Sequence, residues 1–133
     1  MIELSNTTAQ TVAAGQALTF NAVVLNTGCG EFHRENSGII TLRKVGIYEV
    51  HFSANIAGTD AGPIQLVIEL DGEPLTETTM ISTPTAAADA NNVATATLVR
   101  TYCGCCGRVN VVNNGTSDVV VSPNPAFYVK RVA

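Results

Sequence analysis

Gly46-Ile47-Tyr48-Glu49-Val50-His51-Phe52-Ser53-Ala54-Asn55-Ile56 is the stretch of sequence that decides the fold. Apolar side chains occupy every second position from Tyr48 to Ile56, and polar side chains occupy the positions between them. Successive side chains of a strand point to opposite faces, so this alternation predicts a half-buried β-strand whose register is set by its apolar face. His51 falls on the polar face, where we expect a surface or interface histidine.

The rest of the chain has the same character in shorter pieces. Short apolar or alternating runs are separated by turn residues, and no run shows a sustained helical period. The pattern predicts an all-β chain, an antiparallel jelly-roll sandwich of eight to ten strands. One domain is expected over residues 1–133, with residues 1–11 as a candidate extended N-terminal arm. The predicted strands cover residues 18–25, 39–42, 48–56, 64–70, 75–81, 93–102, 109–112, 119–121 and 126–132.

Two connections stand out among the predicted strands. Asp71-Gly72 is expected to form a tight hairpin turn, because glycine accepts the positive φ that such turns require. Residues 83–92 are small or polar and are expected to form a loop. A sandwich of many short strands also leaves edges that must be protected. Closing the two sheets into a jelly roll and packing three copies around an axis would protect them.

The composition limits the classes of function. Hydrophobic residues make up 46% of the chain and charged residues only 14%, and the seven basic residues are not clustered in the sequence. Nucleic-acid binding is not expected, because phosphate contacts need clustered Lys or Arg. Membrane insertion is not expected either, because no run reaches the roughly 18 apolar residues of a spanning helix. The scarcity of charge instead indicates that part of the surface is covered by other copies of the chain.

The sequence contains none of the common catalytic motifs. Gly-x-Ser-x-Gly, His-Glu-x-x-His and a phosphate-binding glycine loop are all missing, so we expect neither an enzyme nor a cofactor. The first residues lack the basic and apolar segments of a signal peptide. We therefore expect a protein that works where it is made, leaves by lysis, or is a fragment of something longer.

The four cysteines are the least ordinary feature of the chain. Cys103, Cys105 and Cys106 lie together between two predicted strands, and Cys29 precedes His33 by four positions. Thiolates and imidazole are zinc ligands, so these five residues are candidate metal ligands, although their spacing is not that of a standard zinc motif. Free thiols and one or two disulfides are the alternatives, and the sequence leaves all three open.

An ordered series of residues runs through the first half of the chain. Phe20 is followed after five residues by Asn26, and Phe32 and Ile40 come next, each one position late. Gly46, Tyr48, Val50 and Phe52 complete the series. The series resembles the signature of the complement C1q / tumour necrosis factor superfamily of trimeric jelly rolls. It differs by two one-residue insertions and two exchanges of aromatic for aliphatic residues.

Both ends of the chain are similar to the bacterial and bacteriophage members of this superfamily. Residues 17–28 resemble the start of the globular heads of collagen-like spore-surface proteins, and residues 124–132 resemble their final strand. The resemblance implies a homotrimer. It also implies that a set of aromatic residues fills the core or the contacts between subunits, namely Phe20, Tyr48, Phe52, Phe127 and Tyr128.

The function that follows from the resemblance is structural. We expect a non-enzymatic trimeric structural or attachment protein of a bacteriophage virion: a head fibre, a capsid decoration or a fibre tip, assembled in the host cytoplasm. Its expected partners are other copies of itself, a capsid or fibre protein, and a host cell-surface glycan. The alternative is an adhesion head on a bacterial cell or spore surface, although no Gly-x-y stalk is present in the chain.

Overall fold

The computed structural model describes residues 1–28, 30–102 and 107–133, in which the regular secondary structure is almost entirely β-strand. No helix in these ranges is long and apolar enough to span a membrane. The strands in these ranges, in chain order, are β1 (Ile2–Ser5), β2 (Gln10–Val12), β3 (Ala22–Asn26), β4 (Glu31–His33), β5 (Ile40–Leu42), β6 (Gly46–Gly58), β7 (Ile64–Leu70), β8 (Glu73–Pro74), β9 (Met80–Ser82), β10 (Asn91–Thr101), β11 (Gly107–Val112), β12 (Val119–Val121) and β13 (Ala126–Arg131).

The strands form two antiparallel sheets that pack face to face. The first sheet runs β2-β12-β6-β13-β1-β3, and β10 pairs with β6 as well. The second runs β4-β5-β11-β7-β8, and β9 pairs with β7. One cluster of buried side chains, drawn from both sheets, fills the space between them. The predicted all-β antiparallel jelly roll is confirmed.

Strand β6 is the centre of the first sheet. It pairs with β10 along one edge and with β13 and then β12 along the other. The five apolar positions of the opening stretch, from Tyr48 to Ile56, are buried against the second sheet, and four of them have no exposed area at all. The polar positions point away from the core, so the predicted alternation is confirmed. Residues 64–70 and 119–121 also form strands with the predicted bounds.

The N-terminal segment corrects one expectation, because it is not an extended arm. β1 pairs with β13 on one side and with β3 on the other. The side chains of Ile2 and Leu4 are buried in the core. Only two apolar residues alternate in β1, which is too short a pattern for the sequence to indicate a strand.

The strand predicted over residues 18–25 is shorter in the structure at its N-terminal end, because β3 begins only at Ala22. Leu18 and Phe20 are nevertheless fully buried. Between them, the backbone of Thr19 is satisfied by one side chain, because its N–H donates to Gln10 Oε1 (3.0 Å) and its carbonyl accepts from Gln10 Nε2 (2.9 Å). A glutamine amide thus takes the place of a neighbouring strand, which no local sequence pattern predicts.

The return strand predicted over residues 75–81 is interrupted. A 3₁₀ turn at Thr76–Thr78 separates β8 from β9. The buried hydroxyl of Thr78 accepts a hydrogen bond from the Ile68 N–H (2.9 Å) and donates to the Leu75 carbonyl (2.6 Å). This side chain replaces part of the ladder along β7 and stabilises a turn where a strand was expected. The tight turn at Asp71-Gly72 is confirmed, with positive φ at both residues.

Asn113 holds the connection between β11 and β12 against β2. Its side chain is fully buried. Its Nδ2 donates to the carbonyls of Val12 (2.9 Å) and Ser117 (2.8 Å), and its Oδ1 accepts from the Gly115 N–H (3.0 Å). The neighbouring Asn114 is exposed, and its side chain bonds only that of Gln65 among the described residues.

This contrast gives a paired stability test. We expect Asn113→Ala to lower the free energy of unfolding by about 1–3 kcal/mol, because it leaves buried backbone groups without partners. Asn114→Ala should change it by no more than about 0.5 kcal/mol, because its bond is at the surface. Urea denaturation of the two variants measures both values. Equal effects would contradict the role given to Asn113.

Candidate functional site

The outward side of the first sheet is a broad surface that no other element in the described ranges covers. Its strands lie in the order β10, β6, β13, β1 and β3, and the registers align their outward-pointing residues in rows. We call this surface the open face. Its residues are Ala94, Ala96 and Leu98 of β10, Glu49, His51 and Ser53 of β6, Ala126, Tyr128 and Lys130 of β13, Glu3 and Ser5 of β1, and Leu25 of β3.

A connected group of polar side chains lies at the centre of the open face. The His51 ring stacks on the Tyr128 ring, with 4.8 Å between ring centroids and 17° between ring planes. The Tyr128 hydroxyl donates to Glu49 Oε2 (3.0 Å), and Lys130 Nζ lies 3.8 Å from the same oxygen. His51 Nδ1 is buried and has no hydrogen-bond partner among the described residues. A buried imidazole nitrogen that makes no hydrogen bond lowers the stability of the fold.

Small and apolar residues surround this polar centre. Ala94, Ala96, Ser53 and Ala126 leave the sheet surface flat on one side. Leu98 is 64% exposed, and Val23, Val24 and Leu25 at the β3 edge are also exposed. A flat face of small residues with exposed aliphatic side chains at its margins fits contact with another protein surface.

The five aromatic residues singled out from the sequence fall into two groups. Phe20, Tyr48, Phe52 and Phe127 are fully buried in the core of one chain. Phe127 contacts both Phe20 and Phe52, at centroid distances of 5.2 Å and 6.2 Å. Tyr128 lies on the open face and is only partly buried. Four of these five aromatic residues therefore belong to the core of a single chain, and Tyr128 is the one that lies at the surface.

The candidate metal ligands are not brought together within the described residues. Cys29, Cys103, Cys105 and Cys106 lie outside the ranges that the structure describes. His33 is in β4, where Nε2 donates to the Ser37 carbonyl (2.8 Å) and Nδ1 is buried without a partner in those ranges. No group of three or more metal-binding side chains occurs in the described part of the chain. The zinc hypothesis therefore stays a prediction.

The exposed aliphatic edge of the open face is not indicated by the sequence pattern. Residues 22–25 end the strand predicted over residues 18–25, and a bulge that inserts Val24 of β3 opposite the Glu3–Leu4 step of β1 shifts their register. Three consecutive aliphatic residues, Val23, Val24 and Leu25, were the available signal. Such a run cannot be divided between two faces by alternation alone.

Comparison with known proteins identifies the fold. No protein-family profile and no curated protein matches the sequence. Among solved structures, the globular domain of zebrafish complement 1qA is similar over 99% of this chain and 96% of its own, with a TM-score of 0.74 and 12% identity. The Eiger TNF of S. frugiperda covers 99% and 91%, with a TM-score of 0.78 and 10% identity. The chain therefore has the C1q/TNF-like jelly-roll fold.

A third similar structure is a vertex protein. The PRD1 vertex protein P5 is similar over 99% of this chain and 96% of its own, with a TM-score of 0.58 and 13% identity. At such low identities the likeness concerns the fold. The fold predicted from the residues around Gly46 to Phe52 is confirmed.

The polar centre of the open face leads to a titration test. Partial burial, the hydrogen bond to Glu49 and the negative charge of Glu49 raise the pKa of Tyr128 above its ordinary 10.0. Because the folded chain then holds this proton more tightly than the unfolded chain, the free energy of unfolding should fall as the pH rises above 10.0.

Glu49→Gln should lower the pKa of Tyr128, since it removes the charge that disfavours tyrosinate. Ultraviolet titration of tyrosinate formation, with Tyr128→Phe identifying the signal, measures the change. Glu73→Gln, on the exposed β8 of the other sheet, is the matched control and should leave this titration unchanged. An unchanged pKa in Glu49→Gln would refute the contact.

Proposed function

We propose that the chain is a non-enzymatic structural or attachment protein that works as a homotrimer, with the open face as its contact surface. The observation that carries the proposal is the open face itself. Its centre is a short polar network from His51 to Lys130, and its margins expose Leu98 and Leu25. A neighbouring copy would cover these apolar groups and the small residues beside them.

The C1q/TNF-like fold supports a trimer. The resemblance of the sequence to the trimeric jelly rolls of that superfamily supports it as well. The chain has the fold of complement C1q and TNF domains. Within a closed trimer each copy would bury the same surface, which accounts for a broad face of small and exposed aliphatic residues around one polar network. Covering the face would also protect the β3 edge of the first sheet from non-specific pairing.

We further propose that the trimer is part of a bacteriophage virion, as a head fibre, capsid decoration or fibre tip, bound at one end to a capsid or fibre protein. The likeness to the PRD1 vertex protein P5 supports this location. The sequence resemblance to bacterial and phage jelly rolls supports it independently.

The trimer is tested by light scattering of the purified protein. We expect a mass of about three times 13.9 kDa. Ala96→Arg places a charge in the middle of the open face, beside His51 in register, and should convert the trimer to a monomer. Ala87→Arg, in the exposed loop before β10, is the matched control and should leave the trimer intact. A monomeric wild-type chain would refute the trimer.

The location is tested by mass spectrometry and cryo-microscopy of purified virions. We expect the protein in the particle as a three-fold density at a vertex, on the shell or on a fibre. Its absence from purified particles would exclude the virion role. The adhesion head would replace that role if the protein were found on a bacterial cell or spore surface and its gene continued upstream into Gly-x-y repeats.

A further inference from the structure

The outward side of the second sheet contains a shallow groove at its β4–β5 end. Six side chains line a cavity of about 240 Å³: Phe32, Arg34, Ser37, Ile39, Thr41 and Arg108. The register aligns Phe32 with Thr41 and Thr41 with Arg108, so the three side chains form one row across β4, β5 and β11. We call these six residues the β4–β5 groove.

The β4–β5 groove is locally basic on a chain whose net charge is −4. Arg34 and Arg108 are exposed, and neither guanidinium has a hydrogen-bond or ion-pair partner among the described residues. A third guanidinium, that of Arg43, lies 4.5 Å from the centroid of the Phe32 ring at the margin. None of the described residues that line the groove is acidic. The carboxylate of Asp71 accepts a hydrogen bond from the backbone N–H of Arg108 (2.9 Å).

The rest of the lining is suited to a small ring rather than to a bare ion. Phe32 is 44% exposed and Ile39 is 38% exposed, so together they present an apolar wall. The hydroxyl of Thr41 makes no hydrogen bond within the described ranges and lies between this wall and Arg108. An apolar wall with a few convergent polar groups is the usual composition of a small-molecule site.

The turn that carries Arg34 is held in place before any ligand arrives. The Ser37 carbonyl accepts from His33 Nε2 (2.8 Å) and from the Phe20 N–H (3.1 Å). The Ser37 N–H donates to the Arg34 carbonyl (3.0 Å), and Ser37 Oγ accepts from the Ile39 N–H (3.1 Å). Such a preformed turn lowers the entropy lost when a ligand binds. It also gives His33 a positioning role that needs no metal.

We propose that the β4–β5 groove binds an anionic sugar, a glycan residue that bears a carboxylate or sulfate group. Arg34 and Arg108 would pair with the anionic group, for which the planar guanidinium fork is well suited. The apolar side of the sugar ring would pack on Phe32 and Ile39, and Thr41 would bond a ring hydroxyl. A cavity of about 240 Å³ suits one ring rather than a larger ligand.

The β4–β5 groove and the open face are on opposite sides of the sandwich, so a trimer could present three grooves at once. A single shallow site of this kind is expected to bind with a dissociation constant on the order of 1 mM. Simultaneous engagement of several grooves on a glycan-coated surface would raise the apparent affinity by about 10²-fold or more. This inference deepens the proposed attachment role by naming its ligand class.

The test is an NMR titration of the purified, isotope-labelled protein with four probes: sialyllactose, a sulfated heparin disaccharide, lactose and inorganic sulfate. We expect saturable shifts of the Arg34, Thr41 and Arg108 backbone signals with at least one charged sugar and not with lactose. Arg34→Gln and Arg108→Gln should each weaken binding about ten-fold, through loss of one charge-assisted pair. Arg100→Gln, on the opposite sheet, is the matched control and should bind as wild type.

Several results would overturn the proposal. Lactose binding as tightly as the charged sugars would remove the role of the anionic group. Inorganic sulfate binding as tightly as the sugars would reduce the groove to a simple anion site. Shifts confined to other residues, or none with any probe, would exclude the groove as a ligand site. Because the protein is tested in isolation, these outcomes are independent of whether it is found in a virion.

Discussion

The antiparallel pairing of β6 is the constraint on which the rest of the structure depends. This strand pairs with β10, β12 and β13, so its register aligns most of the first sheet. Its apolar residues fill the core, and its polar residues form the centre of the open face. A slip of one residue would exchange the two sets and place Glu49 and His51 in the core. Core stability and surface chemistry are therefore fixed by the same register.

The two sheets leave the molecule with two chemically different outer sides. The open face of the first sheet has small residues, exposed aliphatic margins and a short polar network from His51 to Lys130. The outward side of the second sheet carries the β4–β5 groove, which is lined by Arg34 and Arg108 together with the Phe32 ring. The first composition suits contact between copies and the second suits a small anionic ligand. Because the sheets lie back to back, one use does not obstruct the other.

The sequence predicts strands correctly where the alternating pattern is long or the residues are densely β-branched, and it misses some of the short strands. The stretches 48–56, 64–70 and 119–121 alternate or are densely β-branched, and they became strands where expected. Short pieces such as β1 and β4 carry too few residues to show a period, and β4 reverses the usual pattern by burying Glu31 and exposing Phe32. Residues 18–20 and 75–79 depart for another reason. Single side chains, Gln10 and Thr78, supply hydrogen bonds that a neighbouring strand would otherwise make.

The sequence alone determined the all-β class, the central strand and its two faces, and the aromatic core, because these depend on local alternation and on the hydrophobicity of individual residues. Tertiary structure decided which residues meet across strands. The stacking of His51 on Tyr128 joins β6 to β13, and the row from Phe32 to Arg108 crosses three strands. Register between distant segments is a global property, set by the packing of both sheets on one core. For that reason both candidate surfaces became visible only in the folded chain.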